Sequence, residues 1–241
     1  METPSHYAGI LSKVARLTPS PGKVAGMNEL AIPPVARSWE RIDNWLAVHA
    51  PLSLAFLAPP AADLDLRSAQ RVIGVEFPAE LVESLRCHDG LREWSNLLPE
   101  QPPSSSLRIA EHWRMCMEIA PDVDGFTVHP LQAEPWWNPL WVPWAEGDGD
   151  AQVIDLRPGP THGRLGMAYH DGSGDFSDGW PDLATYLHEV AQALYAGGEI
   201  RGWYPYLTVD GELWWDRGPD IRTVNDEPLV RAPGGITRGS G

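Results

Sequence analysis

The apolar residues change their period once along the chain, and that change limits what the chain can become. Between Ser38 and Ile119 they recur every three or four residues; between Leu140 and His170 they form short continuous or alternating runs cut by Gly, Asp and Pro. The first pattern is that of amphipathic helices and the second that of strands. Ser38 caps a predicted helix whose stripe is Trp39, Ile42, Trp45, Leu46 and His49, stopped by Pro51. A second helix over Asp63–Ile73 ends at Gly74, a third follows Pro78 and stops at Asp89-Gly90, and a fourth runs from Leu107 to Ile119. The runs around Leu140–Trp144, Ala151–Leu156 and Leu165–His170 predict an antiparallel meander, in which Pro143 marks an edge strand or a bulge.

A fifth helix is expected over Pro181–Tyr195, ending at Gly197-Gly198, and Tyr204–Val209 with Glu212–Trp215 flank Asp210-Gly211 as a hairpin. The fold class is therefore α+β: a twisted, mainly antiparallel sheet with helices packed against it, plus a C-terminal β-hairpin extension. Residues 1–36, with Lys13, Lys23, Pro19, Pro21 and Gly22, are expected to be a loose leader, and translation starting at Met27 is an open alternative. The domain proper is placed at residues 37–196, and residues 197–241 form an extension with a hairpin at 203–215 and a poorly ordered tail from about Arg217.

Charge is spread unevenly over this plan. Residues 1–115 carry 11 basic and 13 acidic side chains, whereas residues 116–241 carry 7 and 20, so nearly all of the net −15 belongs to the second half. Between Glu118 and Asp182 twelve carboxylates face only Arg157 and Arg164. Such a balance excludes nonspecific hold on nucleic acid or an anionic membrane, both of which need a positive surface. It suits a basic protein partner. No apolar run approaches the ~20 residues of a membrane span, and the N-terminus lacks a signal-peptide core, so a cytoplasmic protein is expected.

Catalytic motifs are missing. The eight His form no HExxH, Cys87 and Cys116 have no CxxC spacing, and neither a phosphate-binding loop nor a GxSxG elbow occurs. No metal, cofactor or catalytic residue is expected. His88 beside Cys87 mimics a nucleophilic pair, but neighbours on a helix point about 100° apart. The acidic loops at Asp148 and Asp171 fail the calcium-loop pattern, the latter because Phe176 stands where Gly is required. Two carboxylates drawn from Asp148, Asp150 or Asp155 and from Asp171 or Asp175 could serve a glycosidase, a reading that any acidic, Trp-containing chain invites.

Several segments carry a resemblance. SWERIDNWL, PPAADLDLRSAQRVIGVEFPAELVESLRCHDG, NPLWVPWAEGDGDAQVIDLRPG and GRLGMAYHDG resemble, in that order, the SUKH superfamily of Smi/Knr-like proteins. The likeness covers Arg37 to Ala196 and rests on Ile73-Gly74 followed by Pro78 and Asp89-Gly90, and on Trp141-Val142-Pro143 followed by Asp155-Leu156 and Gly166. Asp89 departs from the Asn common in the family. The resemblance implies an α+β fold and a non-enzymatic protein-binding function, either as a bacterial immunity protein that neutralises a toxin or as a regulator or scaffold in fungal-type cell-wall assembly. The partner surface expected from the residues is an acidic rim of Glu146, Asp148, Asp150, Asp171, Asp175 and Asp178, with Trp136 and Trp137 as aromatic anchors for a basic toxin domain.

The Trp count, 12 against 4 Phe and 6 Tyr, is the least explained feature. Trp39, Trp45, Trp113 and Trp141 fit core-facing positions. Trp136, Trp137, Trp214 and Trp215 are the ones whose exposure decides between core and platform. Adjacent residues in extended chain face opposite ways, so one of Trp136 and Trp137 should be inside.

Overall fold

A computed structural model of the protein describes residues 31–235, and most of the leader expected at residues 1–36 lies outside them. The expected first helix is α1 (Val35–His49), which starts three residues before Ser38 because Val35 is itself fully buried. Its stripe of Trp39, Ile42, Trp45 and Leu46 is fully buried, each side chain contributing roughly 1.5–3 kcal/mol by leaving water. Pro51 ends α1 but also opens a short helix, α2 (Pro51–Phe56), since proline is tolerated in a first turn. Then follow α3 (Asp63–Ile73), α4 (Ala79–Cys87) and α5 (Ser106–Ile119). Trp39 Nε1 donates to Ser84 Oγ at 2.9 Å, tying α1 to α4.

Asp89, the departure from the family pattern, has a structural task. Its carboxylate accepts from the backbone N–H and hydroxyl of Ser106 at 2.6 and 3.3 Å, anchoring the start of α5. Ser105 caps the same helix by accepting from the Arg108 N–H.

The meander is a four-stranded antiparallel sheet in sequence order: β1 (Trp141–Gly147), β2 (Asp150–Asp155), β3 (Leu165–Ala168) and β4 (Gly174–Asp175). β1 is an edge strand and also carries the bulge, between Pro143 and Ala145, so both consequences of Pro143 are met. Its free edge is partly covered: Ser104 N–H donates to the Trp144 carbonyl and Glu146 N–H to the Pro102 carbonyl. Asp148 and Gly149 turn β1 into β2 with φ of 54° and 89°, the paired left-handed geometry that matches strand twist.

This sheet is buried on both faces. Val142, Trp144, Ile154 and Leu165 belong to the main core with α1, α3, α4 and α6 (Leu183–Ala196), whereas Trp137, Trp141, Ala151, Val153 and Ala168 form a second core with Cys116 of α5. Double-sided burial explains why the strands read as continuous apolar runs instead of alternating ones. Gly166 and Gly174 are required by close packing, since a Cβ on either would overlap the ring of Phe176 or of Trp141.

The C-terminal hairpin forms as β5 (Trp203–Thr208) and β6 (Leu213–Arg217), with Gly211 at φ 83° in a loop longer than the two residues read from Asp210-Gly211. The tail departs from expectation. Instead of losing order at Arg217, the chain makes β7 (Thr223–Val224) and β8 (Glu227–Arg231), and β8 pairs with β5 to give the order β6-β5-β8-β7. Leu229 and Ala232 are buried, and the Ala232 and Gly235 N–H groups donate to Pro205 and Tyr195 carbonyls. The segment has little periodicity because it is short and half-covered, and the strand that ties it to the hairpin, β5, pairs with β8 residues more than twenty positions away.

Candidate functional site

The acidic segment has two arginines, and both are committed inside it. Arg157 donates to Asp155 at 2.7 and 2.8 Å and to Glu134 at 2.7 and 3.0 Å; Arg164 reaches the same two carboxylates at 3.2 and 3.0 Å. Asp155 is fully buried at the end of β2. Burial pushes its carboxyl up, but the bonds from Arg157 and Arg164 outweigh this and hold it below the usual aspartate range. The guanidiniums also lie over aromatic faces, Arg164 at 4.1 Å from the Phe176 ring centre and Arg157 at 5.5 Å from that of Trp141. Asp155 is thus committed to a buried ion-pair cluster with Glu134, Arg157 and Arg164.

The remaining acidic residues divide. Glu146 is half-buried and held by Arg108 at 2.5 Å and by the buried His112, whose bonds outweigh desolvation and lower its carboxyl's affinity for protons. Asp150 accepts from the backbone N–H and ring of His170 at 2.9 and 2.8 Å, which raises the His170 pKa. Asp148, Asp171, Asp175 and Asp178 are exposed and form no ion pair among the described residues. Asp175 is stabilised as a carboxylate by the Ser177 N–H at 2.8 Å. Trp136 and Trp137 split as extended geometry requires: Trp137 is 1% exposed in the second core, and Trp136 reaches the surface with its Nε1 donating to the His170 carbonyl at 3.0 Å. Trp215 is likewise core, and Trp214 meets the 62%-exposed Trp94 edge to face at 6.0 Å.

Asp150, Asp175 and Asp178 share one cleft of about 270 Å³ between the meander and the C-terminal sheet. Tyr169, Trp180, Trp203 and Arg217 line its walls and Glu100 its floor. Burial, followed by the charges of Asp175 and Asp150, raises the Tyr169 hydroxyl pKa. None of Glu100, Trp180, Trp203 or Arg217 was marked by a sequence motif. Glu100 reaches the cleft because the Pro99–Ser104 stretch pairs with the edge of β1, and Trp203 and Arg217 reach it because β5 and β6 fold back. The excess of Trp was the only signal pointing towards them.

The two cysteines and His88 are held in the fold. The thiols of Cys87 and Cys116 are pushed up to about 11 and 12, chiefly by burial, so neither supplies a thiolate near neutrality. His88 turns its Nε2 to the Asp43 carboxylate at 3.0 Å and its Nδ1 to the Ala58 carbonyl at 3.2 Å, leaving no ring nitrogen for Cys87. Among the described residues no group of three His, Cys, Asp or Glu is placed to hold a metal ion, and no helix is long and apolar enough to cross a membrane.

With this geometry in hand, the comparisons with known proteins agree with the likeness read from the residues. The SMI1/KNR4 family (SUKH-1) model matches residues 60–189, more than half of the chain. The chain is similar to a KNR4/SMI1 homolog of Kluyveromyces lactis, with 35% identity over 71 residues covering 30% of this chain and 12% of that protein. It is also similar to a KNR4/SMI1 homolog of Eremothecium gossypii, with 38% identity over 53 residues covering 22% and 8%. The matched stretches therefore span about a tenth of the length of these relatives. The chain belongs to the SMI1/KNR4 family.

Proposed function

We propose that this member of the SMI1/KNR4 family is a non-enzymatic protein-binding module that docks a basic partner on its acidic face, and that the partner is a toxin domain which the chain neutralises by covering its working surface. One observation carries the reading. Both arginines of the acidic segment are held by Asp155 and Glu134, so the carboxylates of Asp148, Asp171, Asp175 and Asp178 stand exposed with no ion pair among the described residues, and Asp175 and Asp178 line one cleft. Toxins that act on nucleic acid need basic grooves, and an acidic face both steers such a protein and competes for its groove. Trp136 supplies an aromatic contact beside the rim.

A second reading is favoured by a different observation. The two relatives are yeast proteins, and a regulatory or scaffold function in cell-wall assembly would give the same face a host partner instead of a toxin. The two separate cleanly by experiment. Coexpression with toxin-like proteins encoded beside this gene should yield a stable complex, and the fourfold Asp148→Asn, Asp171→Asn, Asp175→Asn, Asp178→Asn variant should bind at least tenfold more weakly at low salt. A complex whose affinity ignores those substitutions overturns the docking face. Capture of a cell-envelope regulator with no neighbouring toxin overturns the immunity reading.

A further inference from the structure

The floor of the acidic cleft is unfinished. Glu100 is half-buried, sits at φ 69°, and among the described residues its carboxyl accepts one hydrogen bond of good geometry, from Gln152, whose own Oε1 is occupied by Trp144 Nε1 at 2.9 Å. A carboxylate has about four acceptor positions, so most of this group's capacity is open. Beside it, the indole N–H of Trp180 makes no hydrogen bond of good geometry among the described residues, although the residue is only 6% exposed. It lies near enough to favour the charged form of Glu100 but outside hydrogen-bond geometry. Buried polar groups are nearly always paired, so two unmet needs side by side mark a place a ligand completes.

The cleft's composition says which ligand. Four carboxylates, Glu100, Asp150, Asp175 and Asp178, face it against two cations, Arg217 in its lining and Arg201 behind the Trp180 wall. A metal ion of the calcium type asks for six to eight oxygens, but here Tyr169, Trp180 and Trp203 present aromatic surface instead. Carboxylates over aromatic walls suit an organic cation. The walls already show this preference, for Arg201 stacks at 3.5 Å on Trp180 and Arg217 at 4.9 Å on Trp203. The volume, about 270 Å³, admits one side chain and no folded element.

We propose that this cleft receives a single arginine or lysine side chain of the protein partner, whose cation takes the open positions of the Glu100 carboxyl while the Trp180 N–H closes onto the same group. The inference rests on the docking function above and deepens it: the rim steers, and the cleft anchors. Burial raises the Glu100 pKa against the opposing influence of the Trp180 N–H, the Arg201 and Arg217 charges and the Gln152 amide, so binding selects the ionised carboxyl and weakens as pH falls through that raised value.

The test uses the full chain and Nα-acetyl-arginine N-methylamide, followed by the Trp180 indole N–H resonance in NMR. Saturable shifting of that resonance is expected, with a millimolar midpoint, and none with Nα-acetyl-glutamine N-methylamide. Glu100→Gln, isosteric and neutral, should weaken the probe at least tenfold with an unchanged thermal midpoint, and Trp180→Phe should weaken it severalfold. An unmoved resonance, or equal binding by Glu100→Gln, sinks the proposal. Spermidine binding more tightly than the arginine derivative would assign the cleft to free polyamines and overturn the protein source. If Glu100→Gln and the probe behave as expected while the double variant Asp148→Asn, Asp171→Asn, whose residues lie outside the cleft, keeps its full affinity for the partner, the rim reading fails alone; if that double variant loses its partner and Glu100→Gln does not, the cleft fails alone.

Discussion

Two acidic groups lie a few residues apart in the meander and meet opposite fates. At one end of β2, Asp155 and Glu134 are shut in by Arg157 and Arg164; at the other, Asp150 opens on a cleft whose neighbours Asp175 and Asp178 form no ion pair among the described residues. The residue types are the same, and the position of the arginines makes the difference. A buried carboxylate is stable only with its partners, whereas an exposed one costs the fold little and remains free to act on another molecule.

The sharpest way to break this contrast is to remove the buried member. Asp155→Ala should cost about 3 kcal/mol or more in urea unfolding, because two guanidiniums lose a partner at once. A loss near zero would place Asp155 with the surface acids. Acid should act on the same cluster. A carboxyl held below its ordinary range stabilises the fold fully above that range, and the contribution is lost as pH falls through the folded value. Urea midpoints taken between about pH 7 and pH 3 should therefore drop for the native protein, and Asp155→Asn should flatten that part of the slope.

A smaller effect sharpens the packing side of the comparison. Gly166→Ala places a methyl against the Phe176 ring on which Arg164 stacks, and should cost about 1–3 kcal/mol, readable as a lowered thermal midpoint. The smallest effect belongs to the rim. Asp171→Asn and Asp178→Asn should change stability by no more than about 0.5 kcal/mol, yet lower the association rate with a basic partner and its dependence on salt. Rim substitutions that destabilise as much as Asp155→Ala would erase the distinction.

The helices and the meander were legible because each depends on near neighbours: periodicity, the prolines at 51, 78 and 143, and the glycines at their ends. The acidic bias of the second half was legible too, but its partition was not. Nothing local says that Asp155 turns inward while Asp150, five residues earlier on the same strand, lines a cleft, because the deciding groups, Glu134, Arg164 and His170, come from other segments. Glu146 joined the exposed set in the sequence and left it in the structure, since Arg108 and His112 reach it from α5. Trp137 left it for the second core. Glu100, Trp180 and Trp203 came into view only when the Pro99–Ser104 stretch and the C-terminal sheet were folded against the meander.

The pairing of β8 with β5 has a consequence for anyone shortening the chain. Stopping after Arg217 would leave the hairpin formally intact but strip β5 of its neighbour along Tyr206, Leu207 and Thr208. That opens a row of unpaired amides and carbonyls between apolar side chains, the kind of border along which separate molecules add strand to strand. A trimmed protein would be expected to self-associate, and its aggregates would be a product of the cut, not a property of the native molecule.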